Sequence, residues 1–263
     1  MKILLVAVLT LFSVCAPLKA VAADQELEMI KEKQSTGKLY DRAIDFFTRR
    51  MPEAFEQSLN NSYKYIGLIT DIFTEKGIPV DIAYLPLIES GFAPLSVGPG
   101  DAVGLWQLVR STARSYGLRV DSYVDERKDP IKSTNAAADY LRDLYVRFGA
   151  WDLALAAYNA GEGKITRIFK KSNENLPWVI NRYLAYFMAA STVAQDPETY
   201  GFRTSGDAEE ENDYREITTL SSTSLKAVAE KYRTTVNAIK KLNPALLTDS
   251  TPPYPYPIRL PNN

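Results

Sequence analysis

The chain contains no histidine, and its only cysteine is Cys15. Imidazole is the commonest general base near neutral pH and the commonest metal ligand, so its absence disfavours serine and zinc hydrolases of the usual kinds. Cys15 lies in an apolar N-terminal stretch, and everything after it lacks both a disulfide and a thiol nucleophile. Carboxylate chemistry is what remains. Net charge is also scarce, with 31 Lys and Arg against 32 Asp and Glu. That balance argues against nucleic acid as a partner. Nothing in the composition implies a metal ion or an organic cofactor.

What is present begins with Met1-Lys2, a nearly unbroken apolar run from Ile3 to Ala16, and Ala20-Val21-Ala22-Ala23 ahead of Asp24. One basic residue, a short apolar stretch and a small-residue cleavage site describe a secretory signal peptide over residues 1–23. The apolar stretch is short for a membrane span, which needs about 20 residues, and no later segment reaches that length. A secreted, soluble mature chain is expected, with an uncleaved N-terminal anchor as the competing reading. Lipidation of Cys15 is disfavoured, because Val14 stands where such signals want a small residue. Lys2 and Lys19 fall within the leader, which leaves 29 basic against 32 acidic residues. About 240 residues remain, enough for one good core and a small module.

The apolar spacing predicts a mainly helical chain. A charged helix is expected to reach Arg50 from Asp24, with Leu39, Ala43, Phe46 and Phe47 on one face. A second follows Pro52, carrying Phe55, Leu59, Tyr63, Ile66 and Ile69 or Phe73 on its inner stripe. Gly77-Ile78-Pro79 should break it and start a helix leading to Glu89. Gly98-Pro99-Gly100-Asp101 is too rich in turn formers to be regular. A short helix is expected from Ser111 to Tyr116, and a longer one capped by Asp129 with Pro130 at its first position. Asp152 can cap the next, which Asn159-Ala160-Gly161-Glu162-Gly163 should end in a polar turn. A last long helix runs from about Trp178 to Ala194. Residues 203–213 read as a polar linker, and 214–263 as a βααβ module too small for a large active site.

Within this frame Glu89 stands out. The run Ile82-Ala83-Tyr84-Leu85-Pro86-Leu87-Ile88 is apolar throughout and ends in its carboxylate. Partial desolvation against such a run disfavours the charged form and raises the pKa, as a general acid requires. The competing reading is a solvated carboxylate closing a helix. Sixteen tyrosines and three tryptophans would suit a groove that stacks on sugars, although tyrosine is also ordinary core material.

Four motifs in order, Glu89-Ser90-Gly91-Phe92, Gly104-Leu105-Trp106-Gln107, Ala157-Tyr158-Asn159-Ala160-Gly161 and Tyr183, resemble the soluble lytic transglycosylase family in its membrane-bound murein transglycosylase D-like branch. The resemblance runs from about Leu39 to Phe202. It implies a lysozyme-like (goose-type) helical domain over residues 24–202 and cleavage of the β-1,4 bond between N-acetylmuramic acid and N-acetylglucosamine in peptidoglycan. Glu89 is then the single catalytic acid/base: it protonates the leaving oxygen and takes a proton from the sugar's own 6-hydroxyl, closing an anhydro ring. Because an intramolecular hydroxyl replaces water, no second carboxylate is needed to position a nucleophile. Ser90 is implied to fix the glutamate, Gln107, Tyr158 and Asn159 to hydrogen-bond the sugars, and Tyr183 to orient Glu89 or the substrate. Gly104, Leu105 and Trp106 line the same stretch, the last two as groove floor. The tail from Tyr214 resembles a LysM-related module in Leu225-Lys226-Ala227-Val228-Ala229 and Leu242-Asn243-Pro244, without the usual Gly-Asp ahead of the first helix. Glycan strands are the implied partner and the periplasm, with membrane or wall association, the implied location.

Three departures accompany the resemblance. Gly98 stands where the family usually has serine, Asp101 where it has glycine, and Val179-Ile180 where it has Glu-Thr. Asp101 leaves two readings open: a second carboxylate that polarises water and turns the enzyme toward muramidase-type hydrolysis, or a turn residue satisfying backbone amides. Arg127, between Asp125 and Asp129, reads as a structural ion pair. Gly98 and Val179 also admit a catalytically weak peptidoglycan-binding protein.

Overall fold

The computed structural model describes residues 37–171, 178–204 and 214–262. The expected leader, the first part of the N-terminal helix and nearly all of the expected linker lie outside these residues. The described chain is mainly helical, as expected. In order it forms α1 (Lys38–Asp45), α2 (Pro52–Ser62), α3 (Ile66–Lys76), α4 (Pro86–Glu89), a β1–β2 hairpin (Val97–Gly98 and Ala102–Val103), α5 (Arg110–Ser115), α6 (Pro130–Phe148), α7 (Trp151–Ala160), α8 (Glu162–Lys171), α9 (Trp178–Gln195), β3 (Tyr214–Thr219), α10 (Leu225–Lys231), α11 (Val236–Leu242) and β4 (Tyr256–Pro261). Among the described residues no helix is long and apolar enough to cross a membrane.

Four elements differ from the sequence expectation. The helix after Pro52 is two helices, because Ser62 donates its hydroxyl to the Leu59 carbonyl and Tyr65 N–H closes a turn on Ser62. Such back-bonding competes with the helical ladder. The expected helix into Glu89 is a 3₁₀ turn over Val80–Tyr84 followed by the single turn of α4, since Pro86 has no N–H to continue the ladder. α1 passes into a π-helical turn at Phe46–Arg50. The expected polar turn at 159–163 instead restarts at once as α8: Gly161 ends α7 with φ +86°, and Glu162 opens a helix whose Ile165 is buried.

The chain forms two compact units. Among the described residues the first comprises 37–53, Leu68–Ile88, 138–171 and 178–202. Its described core centres on α9, where Leu184, Ala185, Phe187, Met188, Ala189 and Ala190 are buried. The Tyr186 ring meets Phe46 and Phe47 at 5.5 and 5.6 Å, which fastens α9 to the first helix. Small residues of α7, Ala154, Ala156 and Ala157, are buried without exposure, so the helices there approach closely.

Among the described residues the second unit comprises Ala54–Gly67, Glu89–Ala137, 203–204 and 214–262. The expected βααβ order is present: β3 and β4 pair antiparallel from Tyr214↔Pro261 to Thr219↔Tyr256. Ser224 and Thr235 cap α10 and α11 by accepting from Ala227 and Ala238 N–H. The apolar core of this module contains Leu225, Val228, Ala229, Ile239, Tyr256, Ile258 and Leu260, together with one residue from far outside it, Val124. Val124 is fully buried and faces Leu246 in an antiparallel bridge. Around it Asp125 N–H donates to Ala245 O and Leu247 N–H to Tyr123 O, both at 2.9 Å.

Val124 therefore completes a core that the tail alone leaves open. Val124→Ala is expected to cost the full chain about 2 kcal/mol, from the lost methyl groups and the cavity they leave. Denaturant unfolding of wild type and variant measures this as a lower midpoint at unchanged slope.

Candidate active site

Glu89 closes α4 and is half-buried. The chain behind it is tightly built. Ser90 donates its hydroxyl to Leu105 O at 2.8 Å, tying the first motif to the second. Gly91 has φ +62°, and a Cβ there would lie 2.8 Å from the Ser58 hydroxyl. Asn61, on α2, donates to the Gly91 carbonyl at 3.0 Å. Asn61 escaped the sequence reading, since a polar residue on an amphipathic helix gives no sign of a partner 30 positions away. Phe92 is buried with φ +55° and anchors the start of the loop.

The hairpin then returns the chain. Val97 and Gly98 pair with Val103 and Ala102 across Pro99-Gly100-Asp101, where Gly100 and Asp101 both take left-handed conformations. A turn follows in which Gly104, Leu105, Trp106 and Leu108 are all buried. Trp106 donates its indole N–H to Thr134 at 2.9 Å. Gly104 and Trp106 thus support the turn from within, and Gln107 is the residue it leaves partly exposed. Gln107 has φ +47°, and its amide donates to Gly104 O at 2.9 Å.

The departure at Gly98 has a geometric counterpart. A Cβ at position 98 would stand 2.2 Å from the Gln107 side-chain oxygen, so glycine leaves that space to the Gln107 carboxamide. Gly104 is constrained more severely: with φ +86°, its Cβ would fall 1.9 Å from the Arg127 carbonyl oxygen, a backbone atom.

Arg127 organises the far side of this loop. Its side chain is 1% exposed. It forks onto Asp125 with Nε to Oδ1 at 2.9 Å and Nη2 to Oδ2 at 2.8 Å. It also donates Nη1 to the carbonyls of Leu108 and Asp101, and Nη2 to the Asp101 carboxylate at 3.4 Å. Burial is the largest single influence and opposes the guanidinium charge, but the hydrogen bonds and charges of Asp125 and Asp101 together hold the group above its ordinary pKa. The expected structural ion pair is present, and it also clamps both ends of the 101–108 segment.

Asp101 is correspondingly committed. Its carboxylate pairs with Arg127 and with Arg110 at 3.1 Å, and the Arg127 hydrogen bond holds its pKa below the usual carboxylate value. Tyr158, Asn159 and Tyr183 belong to the other unit. There Tyr158 is half-buried on α7 with its ring 5.4 Å from Tyr140, Asn159 is exposed at the end of α7, and Tyr183 is half-buried on α9.

Two consequences can be measured. Gly104→Ala is expected to destabilise the protein by about 3 kcal/mol or more, because a strained φ and a backbone clash coincide; thermal or denaturant unfolding reads this directly. A carboxyl whose folded pKa is depressed contributes stability above its unfolded pKa and loses it as pH falls through the folded value. Wild type should therefore be more stable than Asp101→Asn at neutral pH, with the difference closing as acidity rises past the ordinary value of 3.8. Paired unfolding curves from pH 7 down to about 2 check the trend.

The transglycosylase SLT domain, as a family, matches residues 74–181. That span includes every motif residue named above except Tyr183, just beyond it. Membrane-bound lytic murein transglycosylase D of Escherichia coli K12 is 31% identical over 150 residues, covering 53% of this chain and 33% of that protein. Membrane-bound lytic murein transglycosylase F of Alcanivorax borkumensis is 30% identical over 159 residues, covering 54% and 32%. The chain thus spans about a third of the length of these relatives. Among solved structures, the 70 kDa soluble lytic transglycosylase of Escherichia coli is 23% identical with a TM-score of 0.43, over 52% of this chain and 25% of that one. Over residues 74–181 the chain is similar to the transglycosylase SLT domain, and over a somewhat longer stretch to these membrane-bound lytic murein transglycosylases.

Proposed function

We propose that the protein is a lytic transglycosylase that cleaves the β-1,4 bond between N-acetylmuramic acid and N-acetylglucosamine in peptidoglycan. The observation that carries this reading is the match of an SLT domain over the segment in which a half-buried Glu89 closes a helix beside a rigidly supported Gln107 turn. The relatives' names describe action on murein.

In this reading Glu89 protonates the glycosidic oxygen as the bond breaks, then accepts the proton of the muramic 6-hydroxyl as it attacks the anomeric carbon. The product carries a 1,6-anhydro ring, and the carboxyl returns to its starting state. One titrating group serves both steps because the nucleophile belongs to the substrate, already held close to the reacting centre. Ser90, fixed on Leu105 O, sets the direction of the glutamate-bearing turn. Gln107 supplies a carboxamide toward the sugars, and Tyr158, Asn159 and Tyr183 supply the remaining polar contacts. Trp106 stiffens the floor from its buried position.

The engagement of Asp101 with Arg127 and Arg110 supports its reading as a turn residue over a second catalytic carboxylate. The leader-like N-terminus and the relatives described as membrane-bound support a periplasmic, membrane- or wall-associated location. The βααβ order of the C-terminal module supports its likeness to LysM.

Mass spectrometry of soluble products from purified peptidoglycan tests the reading. Anhydro-muropeptides, one water lighter than hydrolysed products, are expected from wild type. Glu89→Gln should fold normally and lose at least about a thousandfold in rate, since the amide cannot shuttle a proton. Reducing-end products would instead assign a hydrolase, and a turnover-competent Gln variant would remove Glu89 from the mechanism.

A further inference from the structure

The segment from Arg119 to Lys132 has two faces in the second unit, and each is bonded to something different. One face holds the active-site loop: Arg127 donates to the carbonyls of Asp101 and Leu108, and its own carbonyl lies against Gly104 so closely that no side chain fits between. The other holds the C-terminal module. Val124 sits in the module's core, and residues 123–125 pair with 245–247. Glu126 accepts from Tyr256 Oη at 3.0 Å and pairs with Lys132, while its other oxygen accepts Arg119 N–H at 2.7 Å. Asp129, which caps α6 through Lys132 N–H, accepts both its Oδ1 and Oδ2 contacts from Arg259 at 3.2 and 2.9 Å. Asp125, Glu126, Arg127 and Asp129 are all buried.

Buried charges of this kind are retained only where their partners are held in place. The loop they serve needs holding, because Asp101 and Gln107 are non-glycine residues in left-handed conformations. Such conformations cost on the order of 1–3 kcal/mol each and persist only when their surroundings over-determine them. Arg127 bonds at both ends of the segment between these two residues, and the module bonds to the acidic residues that flank Arg127 in sequence.

We propose that the C-terminal βααβ module is a positioning element of the active site, acting through the 124–129 strap and Arg127 on the loop that presents Gln107. The module's residues Tyr256 and Arg259 touch no substrate; they keep Glu126 and Asp129, and hence the Arg127 turn, in register. The role rests on the reading of the Gln107 turn as substrate-facing. It differs from that of a tethered glycan-binding appendage, whose loss would leave the loop unaltered.

The test compares the full chain with Arg259→Ala, Arg259→Lys, Tyr256→Phe, Arg127→Lys and the Arg127→Lys/Arg259→Ala pair. Two readouts are taken: amide hydrogen exchange, and the rate of soluble product release at saturating and limiting purified peptidoglycan. Arg259→Ala is expected to speed exchange across residues 97–108 by about tenfold or more. It should lower the saturating rate by a similar factor, with half-saturation changed less than about threefold. Tyr256→Phe, which keeps the ring in the core and removes only the hydroxyl, should move both readouts the same way by a smaller factor. Arg259→Lys should restore part of each. The double variant should be little worse than Arg127→Lys alone, because both act through one strap.

Faster exchange confined to residues 214–262, or independent multiplication of the two single effects, would overturn the proposal. So would an unaltered loop with diminished sedimentation on purified peptidoglycan, which is the signature of a binding module. If wild type itself released no product, the activity assignment would fail, and the exchange data alone would decide the positioning role.

Discussion

A single buried cation organises the half of the molecule that carries Glu89. Arg127 brings a charge into a place 1% exposed to solvent, where an unpaired guanidinium would cost several kcal/mol. Asp125 neutralises it in a forked, two-point bond, and the remaining donors are spent on the Asp101 and Leu108 carbonyls. The planar fork matters, because lysine's single ammonium could not direct donors along three fixed lines at once. One group thereby bonds backbone carbonyls at both ends of the turn, adding to the Val103 N–H that Leu108 O already accepts.

That satisfaction lets the loop be both irregular and rigid. Phe92, Asp101 and Gln107 occupy left-handed backbone regions that side chains avoid, Gly91, Gly100 and Gly104 share that conformation, and a Cβ at Gly91 or Gly104 would also clash with a neighbouring atom. Below them Leu105, Trp106 and Leu108 are buried, and the Trp106 indole is fixed to Thr134. A strained surface turn on a closely packed base keeps its shape without a ligand, which lowers the ordering cost when one arrives.

Much of this was legible from the residues. Helical periodicity placed α6, α7, α9 and the βααβ order, because buried faces and caps are local properties. Asp129-Pro130 behaves as its chemistry predicts, whereas the expected cap Asp152 lies inside α7, whose N-cap is Ala150. α8 was hidden behind Gly161, where a stop signal is followed directly by a new start, although Ile165 and Ile168 carry its spacing. The pairing of Asn61 with Gly91 and the insertion of Val124 into the tail's core were not legible. Both join residues distant in sequence, and neither a lone asparagine nor a lone valine advertises its partner. Arg127 could be read as an ion pair from its neighbours Asp125 and Asp129, but its grip on the 101–108 carbonyls depends on folding that no spacing encodes.

The bond between Tyr256 and Glu126 spans 130 positions, and the one between Arg259 and Asp129 spans as many. β4 is also the final regular element of the described chain. Contacts of such separation form late, after the loop-closure entropy has been met. A polypeptide emerging from the ribosome therefore possesses Glu89 long before it possesses the strand that braces the turn opposite. A chain cut short ahead of β4 carries every motif residue and yet lacks Tyr256 and Arg259, the partners of Glu126 and Asp129.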